Sequence, residues 1–196
     1  MTMLIIYMKM FDKKNLLKKG DVLLADPFML DPNFKRAAVL LCEHQDDGSI
    51  GFIMNKPLDV NIVDLIQDFP EFDSKVFYGG PVSTDTVHFI HNSGAIIDES
   101  VRIQSGVFWG GDFEKLKVLI QAKLIKPTDI RFFVGYAGWS SGQLYEELNI
   151  GSWVIAEMHA NYLFKVDPVI LWKQIMSNKG DVFSVISQMP DSANWN

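Results

Sequence analysis

The stretch FFVGYAGWSSGQLYEEL, residues 132–148, decides both the predicted fold and the first functional question. The apolar run that precedes Gly138 is typical of a buried strand, and a helix-like run follows Gly142. Residues 138–142, GWSSG, fit the G-x-S-x-G pattern of a serine-hydrolase nucleophile elbow, which requires this strand–turn–helix context. Ser140 is therefore either a nucleophile or part of a structural turn.

The sequence after Ser140 favours the turn. In α/β-hydrolases an acidic residue and then a histidine follow the nucleophile, but His159 is the one histidine downstream of Ser140 and no aspartate lies between the two. Ser140 and Gln143 have the spacing of a capping box, in which the serine oxygen accepts the Gln143 backbone N–H and the glutamine side chain bonds back. We therefore predict no catalytic residue here, and a helix that begins near Ser141 and is capped by Ser140.

Outward from this stretch, strands occur in clusters instead of alternating strictly with helices. We predict strands over 21–26, 36–44, 50–55, 75–82, 86–91, 101–106, 129–138 and 152–158, and helices over 60–70, 111–125 and 167–176. Asp112 and Asp167 are the predicted N-caps of the last two helices. This order indicates an α+β domain with a mixed or antiparallel sheet and a single main core.

Composition limits the partners and the compartment. The 196 residues contain 18 Lys and Arg against 24 Asp and Glu, so the formal charge of −6 does not favour a nucleic-acid partner. The single cysteine, Cys42, excludes an internal disulfide, and its apolar neighbours predict a buried thiol. No apolar stretch reaches membrane-spanning length and no signal peptide is evident, so we expect a cytoplasmic protein without a membrane partner.

Four histidines are the candidate metal ligands. His88 and His91 lie on one predicted strand, where their odd separation places the two side chains on opposite faces. His44 and His159 are far apart in sequence, and a spatial approach between them stays open. We predict no metal and no cofactor.

Three carboxylates, Glu43, Asp46 and Asp47, are grouped around the predicted hairpin turn. Paired carboxylates can perform acid–base catalysis. Aspartate and glycine are also favoured in hairpin turns for backbone reasons, and we interpret these residues as part of the turn.

Several segments together resemble the YqgE/AlgH family of small bacterial proteins. They are GDVLLADP (20–27), VLLCEHQDDGSIGFIMNKP (39–57), YGGPV (78–82), FIH (89–91), FFVGYAGWSSGQLYEEL (132–148) and GSWV (151–154). The resemblance implies an α+β domain over residues 20–196, with a bent sheet in a half-open barrel, helices packed outside, and residues 1–19 as an N-terminal extension. It also implies a largely uncharacterised family without an established catalytic mechanism, some of whose members are labelled transcriptional regulators.

The glycine-rich ends of the strands are the candidate binding surface. If the strands are neighbours, their loops form one rim, consisting of Asn55, Gly79, Gly80, Pro81, Gly138, Trp139 and Gln143. An exposed Trp139 beside glycine-rich loops would recognise a peptide or a small ligand. The alternative, which is the more frequent case, is a buried tryptophan that packs against the turn.

Three classes of function remain. We favour a non-enzymatic regulatory or interaction module with a protein or small-molecule partner, because the sequence shows no complete catalytic set. The alternative is an enzyme or small-ligand-binding protein with its site at the glycine-rich rim near Trp139. Direct DNA binding is the third, and the acidic charge and the lack of a basic recognition helix count against it.

Overall fold

The computed structural model describes residues 17–188, in which β-strands form one large sheet. The strands are β1 (Val22–Ala25), β2 (Ala38–Gln45), β3 (Gly48–Ile53), β4 (Pro57–Asn61), β5 (Lys75–Tyr78), β6 (Val82–His91), β7 (Val101–Gln104), β8 (Val107–Trp109), β9 (Ile130–Ser140) and β10 (Trp153–Ala156). The helices are α1 (Ile62–Leu65), α2 (Phe113–Gln121), α3 (Gln143–Asn149), α4 (Asn161–Phe164), α5 (Pro168–Ser177) and α6 (Asp181–Ser187).

The sheet is built around β9, the strand that the opening stretch predicts. The main strand order is β10-β1-β2-β3-β9-β6-β8-β7, and β5 joins β4 to β9 as a branch. The β5–β9 pair is parallel and the other pairs are antiparallel, so the sheet is mixed. Among the described strands β10 and β7 lie at opposite ends, so the sheet is open and not closed into a barrel. This confirms the predicted α+β class.

β9 can pair with three strands because its two halves have different neighbours. Gly138 and the residues around it pair with β3, whereas Phe132 to Val134 pair with β5. Gly135 lies where the sheet branches, has φ +66°, and approaches the Gly79–Gly80 segment so closely that a Cβ there would be 2.5 Å from the Gly80 oxygen. Only glycine fits this position without displacing the backbone.

Helices cover both faces of the sheet. The buried apolar residues form three clusters, whereas the sequence predicted a single main core. Leu171, Trp172, Ile175 and Met176 of α5 pack with β1, β2 and β6 in the first cluster. The second cluster contains Leu144 and Leu148 of α3, and the third contains Leu116, Leu119 and Ile120 of α2. The clusters share one continuous sheet, so the chain forms a single domain.

Both predicted aspartate N-caps are confirmed. Asp112 accepts the backbone N–H of Lys115 at 2.9 Å, and Asp167 accepts that of Val169 at 2.9 Å. Each carboxylate bonds an N–H that has no partner inside the helix and interacts favourably with the helix dipole.

The predicted helix over 60–70 is wrong in length. Only the single turn α1 is helical, because Ile66 is already extended (φ −119°, ψ 116°) and Asp68 has φ +57°. Phe69 and Ile66 still pack against the third cluster, so apolar residues at helical spacing reach the core from an irregular loop. The pattern predicted the burial of Ile62 and the packing of Ile66 and Phe69, but not the exposure of Leu65 or the backbone conformation.

The N-terminal extension is described only from Leu17 onward, and residues 1–16 lie outside the described part of the chain. Leu17 is buried in the second cluster, so the packed region begins a few residues before the predicted boundary at Gly20. No helix within residues 17–188 is both long enough and apolar enough to cross a membrane.

Candidate functional site

The turn that follows β9 differs from the predicted capping box in one respect. Ser140 ends β9, Gly142 is the N-cap with φ +78°, and α3 begins at Gln143. The predicted cap by Ser140 is wrong, because the left-handed Gly142 extends the turn and Ser140 Oγ donates to Gln143 Oε1 at 3.2 Å. The return bond of the predicted box is present, since Gln143 Oε1 accepts the Ser140 N–H at 3.0 Å.

Trp139 adopts the buried alternative. Its side chain is 5% exposed, and its Nε1 donates to Glu147 Oε2 at 2.9 Å. Trp153 Nε1 donates to the same oxygen at 2.7 Å, and Gln143 Nε2 donates to Glu147 Oε1 at 2.9 Å. Glu147 therefore holds α3 against two buried indoles, a role that the sequence analysis missed.

The predicted rim is brought together only in part. The ends of β3 and β5 are neighbours, since Gly79 O accepts the Ile53 N–H at 2.9 Å. Asn55 is used within the fold: its Oδ1 accepts the Ala38 N–H at 2.8 Å, and its Nδ2 donates to Arg36 O at 2.9 Å. These contacts give Asn55 and Gly79 a structural role, and binding by either residue stays a prediction.

The other rim residues are spread over three elements: Gly80 and Pro81 precede β6, Gly138 and Trp139 pair with β3, and Gln143 begins α3. Gly80 packs so tightly that a Cβ would be 2.2 Å from the Tyr136 carbonyl carbon, and Pro81 is exposed beside it. Gly138 and Trp139 border a cleft of about 380 Å³ that Glu43 and Asp47 also line. Asp46 and Asp47 form the loop of the β2–β3 hairpin, as predicted from the sequence.

A second cleft, of about 490 Å³, lies between the β2–β3 hairpin and the turn from β9 to α3; we call it the hairpin cleft. Its polar lining consists of His44, Gln45, Asp46, Ser49, Ser140, Ser141 and Tyr145. Ser141 Oγ donates to Asp46 O at 2.6 Å, so one hydrogen bond links the two sides of this cleft.

Three polar side chains of the hairpin cleft form a hydrogen-bonded row. His44 Nδ1 lies 2.7 Å from Ser49 Oγ, and His44 Nε2 lies 2.8 Å from the Tyr145 hydroxyl oxygen. His44 is opposite Ser49 in the hairpin, and Ser49 is opposite Trp139 of β9. The side chains of His44, Ser49 and Trp139 therefore lie on one face of the sheet. Burial lowers the pKa of His44, although the nearby Asp21 and Asp46 carboxylates act in the opposite direction.

Neither Ser49 nor Tyr145 was predicted from the sequence, which left open an approach of His44 to His159 instead. His159 packs edge-on against Tyr162, with ring centroids 5.2 Å apart. The pairing of His44 with Ser49 follows from a two-residue hairpin loop, so that signal was present in the sequence. Tyr145 is 101 residues from His44, and no local pattern connects them.

His88 and His91 lie on opposite faces, as strand parity predicted. His88 packs against Phe52 on the side of the first cluster. His91 is fully buried on the other side, where Nε2 donates to Gly110 O at 2.9 Å and Nδ1 accepts the Ser93 N–H at 3.1 Å. Within residues 17–188 no group of three or more His, Cys, Asp or Glu could hold a metal ion.

An apolar groove of about 600 Å³ lies beside the edge strand β10. Phe28, Leu30 and Ile150 line it and are largely exposed. Surfaces of this kind are typical of protein contacts. Its polar lining is sparse compared with that of the hairpin cleft, which therefore remains the better candidate for a specific small-molecule site.

Comparison with known proteins adds the family. The family model described as AlgH-like matches residues 22–184. A UPF0301 protein of Chlorobaculum parvum is 42% identical over 181 residues, which cover 92% of this chain and 97% of that protein. A UPF0301 protein of Chlorobaculum tepidum is 42% identical over 187 residues, or 95% of this chain and all of that one (100%).

Two solved structures share the architecture. The solution structure of the AlgH protein from Pseudomonas aeruginosa has a TM-score of 0.70 and 26% identity, and the match covers 89% of this chain and 95% of that one. The crystal structure of protein DIP2367 from Corynebacterium diphtheriae has a TM-score of 0.72 at 23% identity, with coverage of 89% and 96%. The second likeness concerns the fold alone.

Proposed function

The chain belongs to the AlgH-like family, and from its geometry we propose a non-enzymatic regulatory module that binds a small polar molecule in the hairpin cleft. The observation that carries the proposal is the convergence of hydroxyl groups and one imidazole on a single cleft of about 490 Å³. Small-molecule sites have this size and combine a few placed polar groups with apolar walls. Leu17 and Leu144 supply the apolar walls here.

The lining favours an uncharged ligand that donates hydrogen bonds. Ser140 Oγ donates to Gln143 and Ser141 Oγ donates to Asp46 O, so each of these exposed hydroxyls has used its proton and keeps lone pairs that can accept a hydrogen bond. The cleft has the Asp46 carboxylate in its lining and neither Lys nor Arg, so an anion is disfavoured. We therefore propose a small neutral molecule with hydroxyl or amide groups.

The hydrogen bonds of the cleft favour binding over catalysis. Ser140 Oγ contacts an amide oxygen and not a base, which leaves its hydroxyl unactivated. Both ring nitrogens of His44 are already engaged, by Ser49 and Tyr145. This row therefore serves as a rigid wall of the cleft.

A bound ligand would act as a link between two elements of the fold. The hairpin carries Asp46, and the turn carries Ser141 next to the buried Trp139 and its Glu147 partner. A ligand that contacts both sides favours one relative position of the hairpin and α3, and such a preference is the basis of a regulatory response. That a partner protein receives this response, and that the protein is cytoplasmic, are predictions from the sequence.

An enzyme with Ser49 as its nucleophile is the second candidate, because Ser49 Oγ lies 2.7 Å from His44 Nδ1. Ser49 is only 6% exposed and lies inside β3, where a substrate has little access to its hydroxyl. We expect a fluorophosphonate probe to leave the protein unlabelled. Stoichiometric labelling that disappears in Ser49→Ala would favour the enzyme.

A thermal-shift screen with small neutral hydroxyl- and amide-bearing compounds tests the favoured function. We expect stabilising compounds whose effect is lost in Ser141→Ala, which removes the hydroxyl and leaves the rest of the side chain in place. Ser177→Ala is the matched control, since Ser177 Oγ also donates to a backbone carbonyl, Lys173 O at 2.8 Å, but lies on α5. Compounds that stabilise the wild type and Ser141→Ala equally would contradict a site in the hairpin cleft.

A further inference from the structure

Arg131 is a buried cation at the opposite end of β9 from the hairpin cleft. Its side chain is 8% exposed, and its guanidinium carbon lies 4.3 Å from the centroid of the Phe77 ring. Ser140 lies nine positions further along β9, a distance on the order of 30 Å at the rise of a strand. Any role of Arg131 is therefore independent of the function proposed above.

The charge of Arg131 has no acidic partner within residues 17–188. Its Nη1 donates to Met54 O at 2.7 Å, which is a neutral acceptor. Burial lowers the pKa of Arg131 to about 10. A buried cation without a counter-charge is costly to the fold, and a bound anion would offset that cost.

Arg131 also lines a cleft, which we call the arginine cleft. Nε and Nη2 make no hydrogen bond to any described residue, and neither atom is sealed from solvent. The cleft has a volume of about 230 Å³. Its polar lining includes Ser74, Thr128 and Lys75.

The charges at the mouth of the arginine cleft leave it positive overall. Lys75 and Asp73 both line it, and Lys75 Nζ also pairs with Asp59 Oδ1 at 3.2 Å. Lys75 is largely exposed, so this pair is weak and Lys75 remains able to approach a ligand. Asp73 contributes the one carboxylate of the lining and would repel an anion only from the rim.

We propose that the arginine cleft binds an oxyanion, the carboxylate or phosphate group of a small ligand, on Nε and Nη2 of Arg131. A guanidinium presents these two donors side by side, and the arrangement matches two oxygens of one anion. Ser74 and Thr128 provide hydroxyl donors near the same place, and Phe77 holds the guanidinium plane. Leu163 and Phe164 form an apolar wall for the remainder of the ligand.

The test is a titration with sodium acetate and with sodium phosphate at constant ionic strength, with sodium chloride as the reference. The Arg131 Nε–H resonance is followed by ¹⁵N NMR. We expect a saturable shift with at least one oxyanion and none with chloride. Acetate as the tighter ligand identifies a carboxylate source, and phosphate as the tighter ligand identifies a phosphoryl source.

Variants separate this site from a structural arginine. Arg131→Met keeps the apolar stem and should abolish saturable binding. Lys75→Glu leaves Arg131 in place and should weaken binding at least tenfold, which keeps the proposal testable if Arg131→Met does not fold. Lys117→Met, which removes a similar surface pair with Glu114, should bind as the wild type does. The absence of a saturable shift with both anions, or equal binding by Lys75→Glu, would overturn the proposal.

Discussion

Two substitutions of Glu147, to Gln and to Ala, should destabilise the turn after β9 by different amounts. Its Oε2 accepts the indole N–H groups of Trp139 and Trp153, and its Oε1 accepts Gln143 Nε2. In Glu147→Gln the amide oxygen can replace Oε2, but the amide nitrogen then faces Gln143 Nε2, and two donors oppose each other. In Glu147→Ala all three hydrogen bonds are lost.

The magnitudes follow from the burial of the two indoles, which are 5% and 1% exposed. A buried donor left without its acceptor costs about 1–3 kcal/mol. Glu147→Ala strands two such donors and should lose about 3–5 kcal/mol, whereas Glu147→Gln opposes one pair of donors and should lose about 1–2 kcal/mol. For a domain of this size, about 3 kcal/mol corresponds to a Tm decrease of about 6–12 °C.

Guanidinium unfolding followed by tryptophan fluorescence, together with calorimetry, measures the loss of unfolding free energy in both variants. Glu146→Ala is the matched control, because Glu146 is the exposed neighbour on the same helix and should change stability by less than about 0.5 kcal/mol. If Glu147→Ala were no more destabilising than Glu146→Ala, the two indoles would not depend on Glu147, and our description of the turn would be refuted.

Three further predictions concern pH, Ser140 and DNA. Burial lowers the folded-state pKa of His91, so the unfolded chain binds a proton at a higher pH than the folded chain does. The urea midpoint of unfolding should therefore fall as the pH decreases below about 6.5. A midpoint that rises instead would contradict the buried neutral imidazole. Ser140→Ala should change the free energy of unfolding by less than about 0.5 kcal/mol, because Gly142 is the N-cap. A loss above about 1 kcal/mol in urea unfolding would show that Ser140 caps the helix after all. Fluorescence anisotropy with duplex DNA at physiological salt should show binding weaker than about 10⁻⁴ M, with or without residues 1–19; salt-sensitive micromolar binding by the truncated chain would contradict this.

Much of the fold could be predicted because local signals agreed with the packing. Alternating or continuous apolar runs located β1, β2, β3 and β9, and two aspartates marked the starts of α2 and α5. The short strand β8 was missed, since three residues carry too little periodicity to be distinguished from a loop. The parallel pairing of β5 with β9 was also missed, because nothing near β5 in the sequence specifies that neighbour.

The candidate site was predicted less well because it depends on contacts between distant segments. The sequence directed attention to Ser140, which lines the hairpin cleft, and to Trp139, which borders the other cleft. The row from Ser49 through His44 to Tyr145 combines a hairpin pairing, which is local, with a contact across 101 residues, which is not. The left-handed Gly142 moved the helix start by two residues and changed the role of Ser140.

The most direct test of the proposed function is a ¹H–¹⁵N NMR titration with the stabilising compounds from the neutral fragment screen. We expect saturable shifts concentrated at His44, Ser49 and Tyr145 and in the turn at 140–142, and their loss in Ser141→Ala. Shifts concentrated in the apolar groove around Phe28 and Ile150, with the hairpin cleft unaffected, would contradict it.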